Sequence, residues 1–289
     1  MEGKISNVAQ DVQRIVDTQA KTGLVLNLQK CEIFANNFDL IDQYSVFSQF
    51  KRVQKEDMTF LGSPVLPSRA MDRVFQGKID DVERTIQLLA LLQAHDALCR
   101  MKNSIAMPKL LYVLRISPCF DNPLWDIFDD TLRRGFSLVL NVELSDKQWK
   151  QANLPVHMGG LEVRSAGMLA SSAFLASAAA TLPLQDAIHA RSFHSGEDPA
   201  MRSAILVWTK ISQSTIPANA LQHVQKAWDS PVTASVYQKL LADPHNTPID
   251  AARLRAVASE HAGDWLHAAP GSMLRQSPQS DYCLTKPSE

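Results

Sequence analysis

The fold class follows from residues 67–92, which read PSRAMDRVFQGKIDDVERTIQLLALL. Six apolar residues of this stretch are spaced three to five positions apart, mostly three or four, and that spacing places them along one face of an α-helix. They are Val74, Ile79, Val82, Ile86, Leu89 and Leu92. The residues before Pro67 do not keep this period, so the sequence predicts a change from mixed structure to helix at Pro67.

More helical segments are predicted after this stretch. Residues 105–116 form one, and residues 124–140 form another that begins with Asn122 as cap and Pro123 in its first turn. Ser145 with Gln148 has the spacing of a capping box, which opens a short helix. A helix rich in small residues follows at 164–181, and helical blocks are predicted at 200–212, 219–228, 235–242 and 248–262.

Residues 1–66 predict a small α/β piece. Residues 5–21 form a helix stopped by Gly23, and a strand is expected around residues 32–35. Residues 40–49 favour a short helix, and residues 58–66, interrupted by Gly62 and Pro64, favour a tight hairpin or a bulged strand pair. The predicted fold class is therefore mainly α with a small α/β N-terminal piece. Its β-structure is confined to residues 29–66, with one further candidate at 156–163.

Composition narrows the function classes. The net charge is −1 and the pI about 6.7, so the chain is not a strongly basic, stand-alone nucleic-acid binder. Four cysteines lie far apart without a Cys-x-x-Cys pair, which argues against a zinc site or a disulfide framework and favours reduced thiols. Residues 1–21 do not resemble a signal peptide, and the apolar residues 166–180 are too few to span a bilayer. We expect an intracellular protein with no membrane partner.

One local cationic segment remains as a candidate nucleic-acid surface. No acidic residue lies between Asp96 and Asp121, and within that interval four basic residues form what we term the basic run: Arg100, Lys102, Lys109 and Arg115. Such residues bind duplex phosphates in nucleic-acid proteins, and they equally form ordinary solvated helix faces. The sequence leaves both interpretations open.

Four strings in order resemble non-LTR retrotransposon-type reverse transcriptases, which are RNA-directed DNA polymerases. TGLVLNLQKCE at residues 22–32 resembles motif D, and FLGSPV at residues 60–65 resembles the motif E hairpin. MPKLLYVLR at residues 107–115, followed by Pro118 and Cys119, is similar to the thumb region. GGLEVRSA at residues 159–166 is similar to the segment after the thumb. The resemblance covers roughly residues 1–181.

The resemblance implies an organisation and a set of roles. Residues 1–66 would be a partial palm, 67–155 a helical thumb-like region, 156–275 a helical extension and 276–289 a disordered tail. Lys30 matches the motif D lysine that approaches the departing pyrophosphate, although a solvated strand-end lysine is the simpler interpretation. The motif E hairpin that grips the primer would contain Phe60, Leu61 and Gly62, although Phe60 and Leu61 could equally be core residues. In a thumb, the basic run would meet duplex phosphates.

The resemblance also predicts what this chain does not do alone. In the intact family the catalytic Mg²⁺ ions are held by aspartates from motifs that would precede residue 1. We therefore expect no cofactor, no metal site and no polymerase activity in this chain. The pairs Asp80-Asp81 and Asp129-Asp130 lie in helical patterns downstream and are not expected to be metal ligands.

Two further expectations complete the prediction. The palm edge would expose Leu24, Leu26, Ile33 and Phe34, which favours self-association. The alternative function, from a different class, is an α-helical interaction protein derived from a retroelement and without nucleic-acid chemistry. An unrelated helical enzyme is disfavoured because we see no nucleophile-base constellation in the sequence.

Overall fold

The computed structural model describes residues 3–64, 66–189 and 198–266. The chain is mainly helical with a few short N-terminal strands, as the sequence predicts. It divides into two compact units, of which the first ends at Ala70 and the second begins at Met71. The predicted tail at 276–289 lies outside the described residues.

The first unit begins with helix α1 (Ile5–Lys21), which has the predicted bounds. Gly23 then takes φ +76°, the left-handed conformation that ends many helices. Strands β1 (Glu32–Ile33) and β2 (Lys51–Arg52) pair in parallel. The amphipathic face of α1 supplies Ala9 and Val12 to a small core.

The short helix predicted at residues 40–49 is wrong. Two 3₁₀ turns occupy this region, Phe38–Leu40 and Ser45–Phe47. The Asn37 side chain accepts the N–H of Asp39 at 2.9 Å, and such a local side-chain bond competes with a regular helix. Phe47 is buried with edge-on contacts to Tyr44 and Phe50, so aromatic packing fixes the turns.

The second unit is built from helices. Helix α2 (Arg69–Leu89) carries the predicted apolar face, and of its predicted residues only Leu92 lies beyond the helix end and is largely exposed. Asn122 accepts the N–H of Leu124, and the capping box of Ser145 and Gln148 is present. The remaining helices are α3 (Ala94–Arg100), α4 (Met107–Ile116), α5 (Leu124–Leu140), α6 (Asp146–Ala152), α7 (Ala166–His189), α8 (Pro199–Ser212), α9 (Gln225–Leu241) and α10 (Pro248–Val257). A π-helical turn, Met101–Ile105, joins α3 to α4.

Helix α7 lies at the centre of the second unit and packs against α4, α5, α8 and α9. Leu169 and Ala173 belong to the main core, whereas Phe174 and Leu175 belong to a second core with α8 and α9. The helix continues through Pro183, so it is longer than the sequence suggested. Its segment Ala166–Ala187 is long and apolar enough, by length and composition, to cross a membrane, and 44% of its most apolar stretch is buried inside the protein. The expectation that the apolar residues at 166–180 are too few to span a bilayer is therefore wrong in length, because the helix continues past them.

Two other expectations differ from the structure. The helices predicted at 219–228 and 235–242 meet in the single helix α9, with Pro231 inside it, and the start of the first is a separate 3₁₀ turn, Asn219–Leu221. Trp228 and Val232, on either side of this proline, are both buried in the second core, which holds the two halves in line. The candidate strand at 156–163 is a 3₁₀ turn, Val156–Met158, followed by irregular chain.

Candidate nucleic-acid interface

The predicted hairpin in the first unit is present. Strands β3 (Thr59–Phe60) and β4 (Ser63–Pro64) pair antiparallel, with Phe60 opposite Ser63. The two loop residues have positive φ, +50° at Leu61 and +77° at Gly62. Positive φ at both loop positions is typical of a type I′ turn, in which glycine is favoured and leucine is strained. The backbone at Leu61 is therefore held in a conformation that its side chain disfavours.

The hairpin presents apolar side chains to solvent. Phe60 is 66% exposed and Leu61 is 78% exposed, so the interpretation of these two residues as core is wrong. Ser63 and Pro64 on the returning strand are buried. Strained backbone together with exposed large apolar side chains is commoner at binding sites than elsewhere on a surface. The tip of this hairpin is therefore a candidate contact surface.

The structure places Lys30 at the end of a 3₁₀ turn, Leu28–Lys30, directly before β1. Its side chain is exposed, and within the described residues it makes no hydrogen bond or ion pair. The interpretation of a solvated strand-end lysine accounts for everything the geometry shows at this residue.

The apolar edge expected in the first unit is exposed in part. Leu24 is 62% and Val25 92% exposed, and Phe34 lies near the boundary of exposure at 37%. Ile33 instead packs against the small core of the unit, and Leu26 is half-buried. The exposed residues of this edge are therefore Phe34 and the irregular chain that follows Gly23.

The residues of the basic run have different partners within the second unit. Lys102, in the π-helical turn, has a side chain only 9% exposed, and its Nζ lies 2.8 Å from Glu162 Oε2. Arg115 donates from Nε and Nη2 to Gln225 Oε1 at 3.2 and 2.8 Å. Arg100 is exposed and forms no ion pair within the described residues. Lys102 is thus neutralised, whereas Arg100 and Arg115 keep their charge at the surface.

Lys109 shares a carboxylate with a second cation. Its Nζ lies 3.1 Å from Asp81 Oδ2, and Arg84 Nη2 lies 2.7 Å from Asp81 Oδ1. The bonds from Lys109 first and from Arg84 second lower the pKa of the Asp81 carboxyl. The basic run lacks acidic residues in sequence, but Asp81 and Glu162 reach it from other parts of the fold. These two partners could not be identified from the sequence, because neither lies within the basic run.

Asp129 has a structural role. Its carboxylate accepts the Ala166 N–H at 2.9 Å and the Ser165 hydroxyl, and so it satisfies the first turn of α7. Burial raises the pKa of this carboxyl to about 6, although the hydrogen bonds from Ser165 and the backbone act in the opposite direction. Among the described residues no group of three or more potential ligand side chains could hold a metal ion.

The segment that the sequence analysis identifies as a candidate strand, and as similar to the segment after the thumb, ties the second unit together. We term residues 159–165 the strap. Glu162 and Arg164 both have positive φ, +59° and +27°, and each is held by an ion pair. Glu162 binds Lys102, and Arg164 binds Asp229 of α9 with both side chains 15% exposed. A Cβ on Gly160 would lie 2.0 Å from the Leu154 carbonyl oxygen, so only glycine fits there.

Comparisons with protein-family models, with curated proteins and with solved structures found no match.

Proposed function

We propose that this chain supplies the primer-gripping hairpin and the thumb of a non-LTR retrotransposon-type reverse transcriptase. Its role is to bind a primer–template duplex weakly and without sequence preference. The observation that carries the proposal is the hairpin tip, where Phe60 and Leu61 are exposed on a type I′ turn. One carboxylate of each aspartate pair already has protein partners, since Asp129 caps α7 and Asp81 is bound by Lys109 and Arg84, which supports a binding role.

The exposed apolar side chains of the hairpin can contact the end of a nucleic-acid strand or the face of a sugar. Aromatic side chains stack on bases irrespective of sequence, and each stack is worth about 1–3 kcal/mol when tested by alanine substitution. Phe60 supplies such a ring, and the adjacent Leu61 extends the apolar contact. A surface of this kind grips a strand without reading its bases.

The basic run adds an electrostatic contribution. Arg100 and Arg115 can reach phosphates, whereas Lys102 is buried against Glu162 and Lys109 is held by Asp81. Two phosphate contacts correspond to a log–log salt slope of roughly −2. Binding is therefore expected to be weak at physiological salt and to strengthen steeply at low salt.

Fluorescence anisotropy of a labelled RNA–DNA hybrid duplex at low salt tests the proposal. The decisive variant is Leu61→Asn, because asparagine is favoured at this turn position and removes the apolar side chain. The hairpin should become more stable while duplex affinity falls about tenfold, in the range expected for a lost stacking-type contact. Phe60→Thr, which keeps a β-favouring residue, should lower affinity in the same way.

Leu206→Gln provides the matched control, since Leu206 is 68% exposed on α8 and glutamine keeps the helix. Its duplex affinity should equal that of the wild type. If Leu61→Asn and Leu206→Gln bind alike, the hairpin does not contact the duplex.

One observation favours the alternative of a helical interaction protein without nucleic-acid chemistry. Two of the four cations in the basic run are neutralised by carboxylates of this chain, and large apolar residues are exposed where α2 ends, Leu88 at 66% and Leu91 at 82%. Wild-type protein that shows no anisotropy change with the duplex at low salt would favour this second function.

A further inference from the structure

We infer that Lys109 and Arg84 form a phosphate-binding pair that the side chain of Asp81 occupies in the free protein. Asp81 would thus act as an internal competitor of the nucleic-acid backbone. This inference rests on the proposed function, and it assigns a regulation to the same surface.

The geometry is that of an anion site with its anion in place. Arg84 reaches Asp81 from one turn along α2, whereas Lys109 reaches it from the first half of α4. Each of the two cations binds a different oxygen of one carboxylate, at 2.7 and 3.1 Å. A phosphodiester also presents two charged oxygens on one centre, and Arg and Lys are its usual partners.

The site is open to a ligand. The Arg84 side chain is 76% exposed, Asp81 is 43% exposed and Lys109 is 28% exposed. Ion pairs at such exposure are weak, since water and salt screen them. Asp81 can therefore leave the two cations at little cost when a phosphate arrives. Its charge would nevertheless repel that phosphate as long as it stays nearby.

The two other acidic residues near Asp81 on α2 bind different partners, so they do not hold Lys109 or Arg84. Asp80, the next residue, is bonded to Gln76 of the same helix at 2.8 Å and does not contact either cation. Glu83, also on α2, lies 3.9 Å from Arg134 of α5. Asp81 is thus the carboxylate that holds both cations, and its neighbour provides a natural comparison.

The experiment compares Asp81→Asn with Asp80→Asn in duplex titrations at several salt concentrations. Both changes alter the net charge by the same amount on adjacent residues, but only the first frees Lys109 and Arg84. Asp81→Asn should bind the RNA–DNA hybrid about five- to tenfold more tightly, with a salt slope steeper by about one to two units. Asp80→Asn should stay within about twofold of the wild type, as expected for a general charge effect at this ionic strength.

Adding Lys109→Gln to Asp81→Asn should return affinity to the wild-type value or below. Circular dichroism melts of every variant check that the fold is retained. Titration with inorganic phosphate, followed by calorimetry, separates a free-anion site from a duplex site. If Asp81→Asn releases heat on binding inorganic phosphate but gains no affinity for the duplex, the ligand of this pair is not a duplex phosphate.

The outcomes separate this inference from the proposed function. Equal gains in Asp81→Asn and Asp80→Asn would overturn the internal competitor while leaving duplex binding in place. No duplex binding by the wild type or by Asp81→Asn would overturn both. If the gain in duplex affinity of Asp81→Asn is kept when Lys109→Gln is added, Lys109 does not bind the phosphate.

Discussion

Asp129 on α5 caps a different helix: its Oδ1 accepts the backbone N–H of Ala166, the first residue of α7, at 2.9 Å. Ser165 completes this junction, because its hydroxyl donates to Asp129 and accepts the Met168 N–H. The central helix of the second unit therefore depends on a carboxylate whose pKa is raised to about 6, chiefly by burial. That combination makes stability depend on pH.

Asp129 should make the protein more stable at pH 4 than at pH 7. The pKa of its carboxyl in the folded state, about 6, exceeds the ordinary value of 3.8, so between these values the folded state holds the proton more tightly. This contribution is fully present below pH 3.8 and is lost as pH rises through 6. Its size is at most about 3 kcal/mol. The carboxyls of Asp81, Asp243 and Asp250 have lowered pKa values. They stabilise the folded state when they are ionised, and this stabilisation is lost as pH falls, at pH values below this window.

Urea unfolding of two variants isolates this effect. Asp129→Asn keeps an acceptor for the cap but cannot ionise, so its stability difference from the wild type should grow as pH rises from 4 to 7. Asp129→Ala removes the cap and should cost about 1 kcal/mol at pH 4, where the wild-type carboxyl is largely protonated. Parallel pH profiles for the wild type and Asp129→Asn would contradict the raised pKa.

Opposite outcomes are expected for two glycines replaced by alanine. A Cβ at Gly160 would meet the Leu154 carbonyl oxygen at 2.0 Å, so Gly160→Ala must shift the strap and should destabilise the protein by more than about 2 kcal/mol. Gly77 lies in α2, and a Cβ added there would meet nothing within 4 Å, so Gly77→Ala should stabilise the protein by about 0.5–1 kcal/mol. Thermal melts measure both, and a similar midpoint for the two variants would refute the steric argument at Gly160.

Local patterns were enough to predict much of the fold. The period of α1 and Gly23 fixed both ends of that helix, and the spacing of Ser145 and Gln148 predicted their capping box. Contacts between distant residues could not be predicted in this way. The neutralisation of Lys102 depends on Glu162, whose backbone adopts positive φ only because the strap packs in the folded protein. The exposure of Phe60 also depends on where the hairpin lies, which its apolar character does not reveal.

The ion pair of Arg164 and Asp229 should contribute far more than a surface pair. Both side chains are 15% exposed, so removing one partner leaves a nearly buried charge without compensation. Asp229→Asn should therefore cost about 3 kcal/mol of unfolding free energy. Asp11→Asn serves as the control, since its pair with Arg14 has side chains 53% and 78% exposed and should change stability by less than about 0.5 kcal/mol. Equal effects in urea unfolding would show that the buried pair is not a structural tie.

The thiol of Cys119 should resist alkylation in the folded protein. Cys119 is 2% exposed and burial raises the pKa of its thiol to about 12, so almost no thiolate is present at neutral pH. Cys31 is partly exposed and should react with iodoacetamide within minutes to hours under the same conditions. Peptide mapping by mass spectrometry, with and without urea, reports each cysteine separately. Native labelling of Cys119 at the rate of Cys31 would mean that this part of the core opens readily.

Self-association through the irregular chain after Gly23 is the last expected property. Leu24 and Val25 are 62% and 92% exposed, and the N–H groups of Val25 and Leu26 make no backbone hydrogen bond within the described residues. Exposed apolar chain with unbonded backbone N–H groups tends to pair with another chain. We expect sedimentation velocity to show a concentration-dependent increase in mass, and Val25→Lys should shift the protein towards monomer because charge blunts such an edge. Leu206→Lys, at a similarly exposed position on α8, should leave the association unchanged, and a monomer at all concentrations in the wild type would rule the edge out as an interface.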